Sequence, residues 1–271
     1  MRISIEHRTT YRYSGEITHI AQYLRLTPAT NPSQRVIDWS VRANGQLFPW
    51  RDAYGNLCHT LVVERSTAEI VITAKGRVDT DDAKGVLPAD ESRVAPEVFL
   101  RSTPLTKPSK PLREFAGGFR ERLASDRIEG LHEMMLALRK EVTYEEGATH
   151  VQSTAAEAFE RGAAVCQDHA HMFIACCRTQ GIPARYVSGY LYDGEHDTPF
   201  SASHAWAASW VTGLGWVAFD VANEISATDR HIGVAHGLDY LEAAPIRGVR
   251  SGRTGSGEEM EVAVRVGATV Q

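Results

Sequence analysis

A segment that is apolar on nearly every side places the strongest constraint on the fold. Residues 166–180 have the composition of a helix, and positions 172–177 are Met, Phe, Ile, Ala, Cys and Cys, with no polar residue among them. A helix without a polar face has to be buried. Gly181 and Pro183 end it, because glycine terminates helices and proline lacks the amide hydrogen that a continuing helix needs. We therefore expect other elements to enclose this helix.

Further helices and strands flank the predicted buried helix. Residues 131–138 place Leu and Met at positions i, i+3, i+4 and i+7, which predicts a helix, and 112–119 predict another that Gly117 and Gly118 interrupt. Thr154 and Glu157 have capping-box spacing, and Gly162 is placed to end that short helix. Strand-like segments follow at 184–192, 204–211 and 215–221. The second half of the chain is therefore predicted to mix helices with strands.

The first eighty residues predict an antiparallel β-sandwich or barrel. Apolar and polar residues alternate from Ile3 to Ile5 and from Tyr11 to Tyr13, and β-like runs follow at 23–26, 36–41, 61–63 and 69–74. Asn44-Gly45 and Gly55-Asn56 supply turns between them. We expect a domain at 1–80, a proline-rich connector at 81–111 and a core at 112–245.

The end of the chain predicts one more strand. Residues 260–266 alternate Met or Val with polar residues, after a stretch at 251–257 rich in Gly and Ser. We expect residues 246–271 to form a flexible hairpin loop and a strand that completes a sheet. The sequence does not decide which domain that sheet belongs to.

The charge balance excludes several classes of partner. A net charge of −5 and a pI near 6.1 are unlike those of nucleic-acid-binding domains, which carry a basic excess. No apolar run has the length of a membrane span, and residues 1–8 lack the core of a secretory signal. Four cysteines, three of them in one short segment, form no disulfide framework. We expect a cytoplasmic protein that acts without nucleic acid, membrane or cofactor; its oligomeric state is left open.

Cys166 is placed where a thiol can become a nucleophile. It follows the small residues Gly162-Ala163-Ala164 and begins the predicted buried helix. A free thiol has a pKa near about 8.5, and a helix N-terminus beside an imidazolium lowers that value by several units. The backbone N–H groups of the same turn are also suited to stabilise an oxyanion.

A base and an orienting acid follow on a predicted hairpin. His204 begins one strand and Asp220 ends the next, sixteen residues later, with a turn at Thr212-Gly213-Leu214-Gly215. A hairpin folded near its middle brings its two open ends together. Asp220 is then placed to accept from one imidazole nitrogen while the other faces Cys166. Asp229 and Asp239 are alternative acids.

Several motifs in order resemble the core of bacterial transglutaminase-like proteins. These are residues 165–171 (VCQDHAH), 181–190 (GIPARYVSGY), 204–206 (HAW) and 215–220 (GWVAFD). The resemblance covers 142–223, and the β-rich N-terminus, with DAYGN at 52–56, is similar to the companion domain of that family. It implies an α+β, papain-like core with helices packed on an antiparallel sheet, and a Cys-His-Asp triad at Cys166, His204 and Asp220. The chain departs from the family pattern at His169 and at Val221-Ala222, and both departures bear on pocket shape.

Other residues near the triad have competing interpretations. Gln167 and Asp168, in the turn after Cys166, are candidates for shaping the site; Asp168 either pairs with Arg185 or is a carboxylate that complements the helix dipole. Trp206 either lines a substrate groove or belongs to the core, and Trp210 is more typical of core. His169 and His171 cannot chelate one ion, since positions two apart on a helix face different sides, and adding His196 or Asp197 as ligands is arbitrary. We therefore predict no metal site.

The sequence leaves the reaction open. Attack by Cys166 on an amide gives a thioester that water or an amine resolves. Water makes the protein a peptidase or amidase, which we favour; a lysine amine makes it a cross-linking transglutaminase. An arylamine N-acetyltransferase has a similar triad, but its Arg-Gly-Gly approach is replaced here by Arg161-Gly162-Ala163. A catalytically silent binding module with the same fold is the alternative outside enzymes. In the enzymatic alternatives we expect a peptide or protein substrate.

Overall fold

The N-terminal region forms one sheet with the end of the chain. The computed structural model describes residues 1–87, 94–194, 203–252 and 257–269. Seven strands build this sheet: β1 (Arg2–Thr27), β2 (Gln34–Ala43), β3 (Gln46–Arg51), β4 (Leu57–Val63), β5 (Thr67–Thr80), β14 (Ile246–Gly252) and β15 (Glu258–Thr269). The strand order is β2-β5-β1-β4-β3, and β14 and β15 also pair with β1.

Strand β1 is one strand of 26 residues, where the sequence pattern indicated separate short runs. Its first half, from Arg2, pairs with β5 and β15, and its second half, to Thr27, pairs with β4 and β14. Tyr11 from the first half and Leu24 from the second lie in the same apolar cluster. The two halves of the sheet therefore share a core.

The C-terminal strands answer the question that the sequence left open. Both β14 and β15 run antiparallel to β1, so the end of the chain completes the N-terminal sheet. Ser251 and Gly252 belong to β14, although the sequence placed them in a flexible loop. Residues 253–256 of that predicted loop lie outside the described part of the chain.

The second sheet carries the helices. Its order is β12-β11-β10-β9-β13, with β6 paired to β11. The strands are β6 (Val86–Leu87), β9 (Ala184–Leu191), β10 (Ser203–Val211), β11 (Gly215–Asp220), β12 (Ile225–Ser226) and β13 (His231–Gly237), and β7 (Thr143–Tyr144) pairs separately with β8 (Ala163–Ala164). The helices are α1 (Lys110–Gly117), α2 (Arg120–Ser125), α3 (Arg127–Glu141), α4 (Ala155–Arg161), α5 (Cys166–Thr179) and α6 (Tyr240–Ala243), and a 3-10 turn spans Pro96–Leu100.

Helix α5 lies in the centre of this core, as its composition predicts. It packs against β9 and β10, and all its residues from Asp168 to Cys177 are buried. The predicted fold, an α+β core with helices on an antiparallel sheet after a β region, is confirmed. Pro111, the last residue of the predicted connector, lies in the first turn of α1, where a missing amide hydrogen costs no hydrogen bond.

The two sheets are in direct contact. Ile3, Ile5 and Val78 of the N-terminal sheet share an apolar cluster with Tyr190 and Ile232 of the core sheet. The domain boundaries at 80, 111 and 245 stay predictions. In the four described ranges, no helix has both the length and the apolar character needed to cross a bilayer.

Candidate active site

Local signals fix the start of α5 and hence the position of Cys166. The Thr154–Glu157 capping box is formed and opens α4, and Gly162 ends α4 with a φ of 73° that favours glycine. The two residues of β8 then pair with β7, and α5 begins at Cys166. Cys166 is half-buried. It is therefore a thiol at a helix N-terminus that solvent reaches in part.

Asp168 and Gln167 hold the chain on either side of Cys166. Asp168 Oδ2 accepts the Val165 N–H at 3.1 Å and the Thr149 hydroxyl. Gln167 Nε2 donates to the Val151 carbonyl at 3.1 Å. Asp168 thus caps α5 and does not pair with Arg185, whose guanidinium lies 4.3 Å from the centre of the Trp216 ring. Burial raises the pKa of Asp168, although its hydrogen bonds oppose that shift.

His169 connects the same turn to the end of α3. Its Nδ1 lies 3.0 Å from the Val165 carbonyl oxygen and its Nε2 lies 3.0 Å from that of Val142. The ring also stacks near Tyr144, with centroids 6.3 Å apart. This departure from the family pattern therefore anchors the start of α5.

The hairpin β10–β11 brings His204 and Asp220 together at its open end. Ala207 lies opposite Phe219, so the two predicted residues are near neighbours across the strands. The distance from His204 Nε2 to Asp220 Oδ2 is 2.7 Å. Burial lowers the pKa of His204, but hydrogen bonds to Asp220 and Cys166 outweigh it and raise the pKa to about 10. The structure thus gathers all three predicted side chains.

Asp220 is surrounded by further donors that the sequence did not indicate. Asn223 Nδ2 donates to Asp220 Oδ2 at 2.7 Å, and the Asn223 N–H donates to Oδ1 at 3.3 Å. His231 Nε2 lies 3.0 Å from Oδ2. Burial would raise the pKa of this carboxyl, and the hydrogen bonds from His204, His231 and Asn223 instead hold it well below its usual range. Asp220 is therefore ionised.

The other predicted residues lie away from this cluster. Asp229 lies 3.9 Å from the N-terminal amine, and Asp239 caps α6 through the Glu242 N–H. His171 Nε2 accepts the Tyr240 N–H at 3.1 Å, far from the partners of His169. His196 and Asp197 lie outside the described residues.

Trp206 is a buried wall behind the triad. Its ring centroid lies 6.0 Å from that of His204 and 5.2 Å from that of His231. It also lines a cavity of about 260 Å³ between loops of the N-terminal sheet and strands β9, β10 and β13. Trp210 packs edge-on against Trp216, as expected of a core residue.

One trio of side chains has the spacing of a metal site. The ligand atoms of His204, Asp220 and His231 lie within 4.8 Å of one another. The same atoms are hydrogen-bonded among themselves, which gives each of them a partner. Hydrogen bonding alone therefore accounts for this arrangement.

Comparison with known proteins agrees with these motifs. Residues 113–221 match the model of the transglutaminase-like superfamily, and residues 3–79 match that of the bacterial transglutaminase-like N-terminal region. The chain therefore combines a transglutaminase-like core with a bacterial transglutaminase-like N-terminal region. This transglutaminase-like protein is 29% identical to the uncharacterized protein ML0607 of Mycobacterium leprae, with 98% of each chain covered. It is 28% identical to the uncharacterized protein Rv2569c of Mycobacterium tuberculosis, over 92% of this chain and 87% of that one.

A solved structure has the same fold as this transglutaminase-like protein. It belongs to a protein of Cytophaga hutchinsonii that is proposed to be a cysteine protease. The TM-score is 0.76 at 21% identity, and the match covers all of this chain (100%) and 92% of the other. At this identity the likeness is one of fold.

Proposed function

We propose that this transglutaminase-like protein is a cysteine-dependent enzyme that transfers acyl groups from amides, and that its main reaction is hydrolysis of peptide or amide bonds. Cys166 is the nucleophile, His204 its base and Asp220 the residue that orients His204. The observation that carries the proposal is the 2.7 Å bond from His204 to Asp220, and the Cys166 thiol helps to raise the pKa of the same imidazole.

In this proposal the two imidazole nitrogens of His204 have different tasks. Nε2 of His204 is hydrogen-bonded to Asp220, so Nδ1 is the nitrogen available to the Cys166 sulfur. Because the pKa of His204 is raised to about 10, Nδ1 holds the thiol proton before the sulfur attacks the carbonyl carbon, and backbone N–H groups in the first turn of α5 stabilise the oxyanion. The departing amine then takes the proton from Nδ1, and a thioester remains. Water attacks this thioester, its proton passes through His204 to the sulfur, and a free acid leaves.

Hydrolysis is favoured over cross-linking on two grounds. Water reaches a half-buried sulfur directly, whereas cross-linking requires a second site that binds a lysine amine. The C. hutchinsonii protein of the same fold is also proposed to be a cysteine protease. We further propose a cytoplasmic location, because all four cysteines are free thiols.

A product analysis tests the reaction. The protein is incubated with a glutamine-containing peptide library and an amine donor, beside Cys166→Ala. Free acids and shortened peptides are expected from the wild type only. Conjugates as the main product would replace hydrolysis by transamidation, and turnover of acetyl-coenzyme A would indicate an N-acetyltransferase. A silent binding module predicts no product, and a Cys166 that iodoacetamide alkylates no faster than an ordinary exposed thiol.

A further inference from the structure

A second histidine reaches the triad from the interior of the protein. His231 begins β13, which pairs with β9, and its side chain is 2% exposed. Its Nε2 lies 3.0 Å from Asp220 Oδ2, the same oxygen that accepts from His204. The buried His231 ring contacts the carboxylate that orients His204, so it affects the orientation of that carboxylate.

The backbone fixes which nitrogen of His231 carries the proton. The Thr228 N–H points at His231 Nδ1 at 3.1 Å, so Nδ1 has to accept. A neutral imidazole with an accepting Nδ1 carries its proton on Nε2. If both nitrogens of His231 carried a proton, the Nδ1–H of His231 would face the backbone N–H of Thr228, and the two donors would repel each other. His231 is therefore held as a neutral donor to Asp220.

A neutral donor suits this place better than a charged one. The negative charge of Asp220 stabilises the His204 imidazolium. A lysine or arginine in the position of His231 would neutralise that charge, whereas an imidazole N–H fixes the carboxylate and leaves its charge intact. The Trp206 ring packs against the His231 ring in an edge-to-face arrangement, with an interplanar angle of 81°.

We propose that His231 is a positioning residue of the active site: its Nε2–H holds the Asp220 carboxylate in the orientation that faces His204. This inference rests on the proposed function. The ionisable groups around His231 are Asp220 and His204 on one side, and Asp81, Arg185 and His236 on the cavity that His231 also lines.

Two substitutions of different length test the donor. The amide nitrogen of Gln reaches about as far as Nε2 of histidine, and that of Asn does not. His231→Asn is expected to lower kcat about 10- to 100-fold, by analogy with the loss when the outer hydrogen-bond partner of a metal-binding histidine is removed, with KM unchanged. His231→Gln is expected to stay within about fivefold of the wild type.

The matched control is His236→Asn. His236 is in the same strand and lines the same cavity, and no hydrogen bond joins it to Asp220 among the described contacts. Its kcat is expected to equal that of the wild type. The pH dependence of kcat separates a positioning role from a folding role. In His231→Asn the alkaline limb of this profile is expected to move to lower pH, because a displaced Asp220 no longer stabilises the His204 imidazolium. If the variant only loses folded protein, the alkaline limb stays where it is in the wild type.

The outcomes distinguish the two proposals. If the wild type cleaves peptides and His231→Asn behaves like His236→Asn, the role of His231 is refuted and the proposed function stands. If the wild type cleaves nothing and Cys166 alkylates slowly, both are refuted. Should His231→Asn not fold, the nitrogen spectrum of the wild-type histidines decides: an Nε2–H tautomer at His231 supports the proposal, and any other protonation state overturns it.

Discussion

The two ends of α5 place the same side chain in opposite surroundings. Cys166, in the first turn, is half-buried and helps to raise the pKa of His204. Cys176 and Cys177, in the last turns, are fully buried. Burial raises the pKa of Cys177 to about 12, although its hydrogen bond with Ser209 opposes the shift, and burial raises the pKa of Cys176 well above its ordinary value. The reactivity of a thiol is therefore set by its position on the helix and its neighbours, not by residue type.

The largest expected difference between the two ends is in catalysis. Cys166→Ala is expected to lower kcat on the order of 10⁶-fold, as removal of a triad nucleophile does. Cys177→Ala should leave kcat within about threefold, because its sulfur touches only the core. Steady-state kinetics on the best library peptide measures both. Equal losses in two folded variants would show that the comparison is mistaken.

Alkylation should separate the thiols next. A pKa of about 12 leaves Cys177 about 10³-fold less ionised than an ordinary thiol. One iodoacetamide label is expected at neutral pH, on Cys166. Mass spectrometry of the intact and digested protein locates it. Labelling of Cys176 or Cys177 in the folded protein at a similar rate would contradict the assignment.

The buried middle of α5 should make the fold sensitive to acid. Burial lowers the pKa of His171 to about 3, below the ordinary value near about 6.5. Its neutral form therefore stabilises the fold fully above that ordinary value, and the contribution is lost as pH falls from there towards 3. His171→Gln keeps an acceptor for the Tyr240 N–H without titrating. Urea unfolding measures the free energy of unfolding at pH 7 and at pH 5. The decrease between the two pH values should be smaller by about 2 kcal/mol in His171→Gln than in the wild type.

The contribution of His204 to stability has the opposite pH dependence, so a substitution of His204 serves as the control. Its pKa is raised to about 10, so its charged form stabilises the fold below its ordinary pKa, and that contribution is lost as pH rises through 10. His204→Gln should therefore remove a loss of stability between pH 7 and about pH 10, a range in which His171→Gln should behave like the wild type. An unchanged acid limb in His171→Gln would contradict the assignment of His171.

The smallest effect should distinguish the two buried cysteines. Cys176→Ser buries a hydroxyl without a described side-chain partner and is expected to cost about 1–3 kcal/mol. Cys177→Ser should cost less, because the Ser209 hydroxyl lies 3.3 Å from the present sulfur. Denaturant unfolding at pH 7 compares them. A larger cost for Cys177→Ser would contradict this account of the C-terminal end.

Local signals predicted much of the core. The limits of α4 and α5 depend on a capping box, a glycine with positive φ and the pair Gly181 and Pro183, all within a few residues of the element. The approach of His204 to Asp220 likewise depends on a single hairpin. Each prediction used information that is close in sequence to the structure it forms.

Non-local pairing accounts for what was missed. His231 reaches Asp220 because β13 pairs with β9, on the far side of β10 from β11, and no local pattern encodes that order. Strand β3 was missed because Pro49 interrupts its pattern, and an edge strand tolerates proline. The continuity of β1 was missed because alternation does not show where a strand changes partners.

The pairing of β1 with β15 has a consequence for assembly. Arg2 lies opposite Thr269, so β1 obtains one of its neighbours from a strand that is far away in sequence. Contacts of such large sequence separation form slowly. The hairpin and helices that carry Cys166 and His204 form from segments that are closer together in sequence. We expect the catalytic region to be ordered while an edge of the first strand is still open, which makes that edge the point where a stalled chain would associate with another.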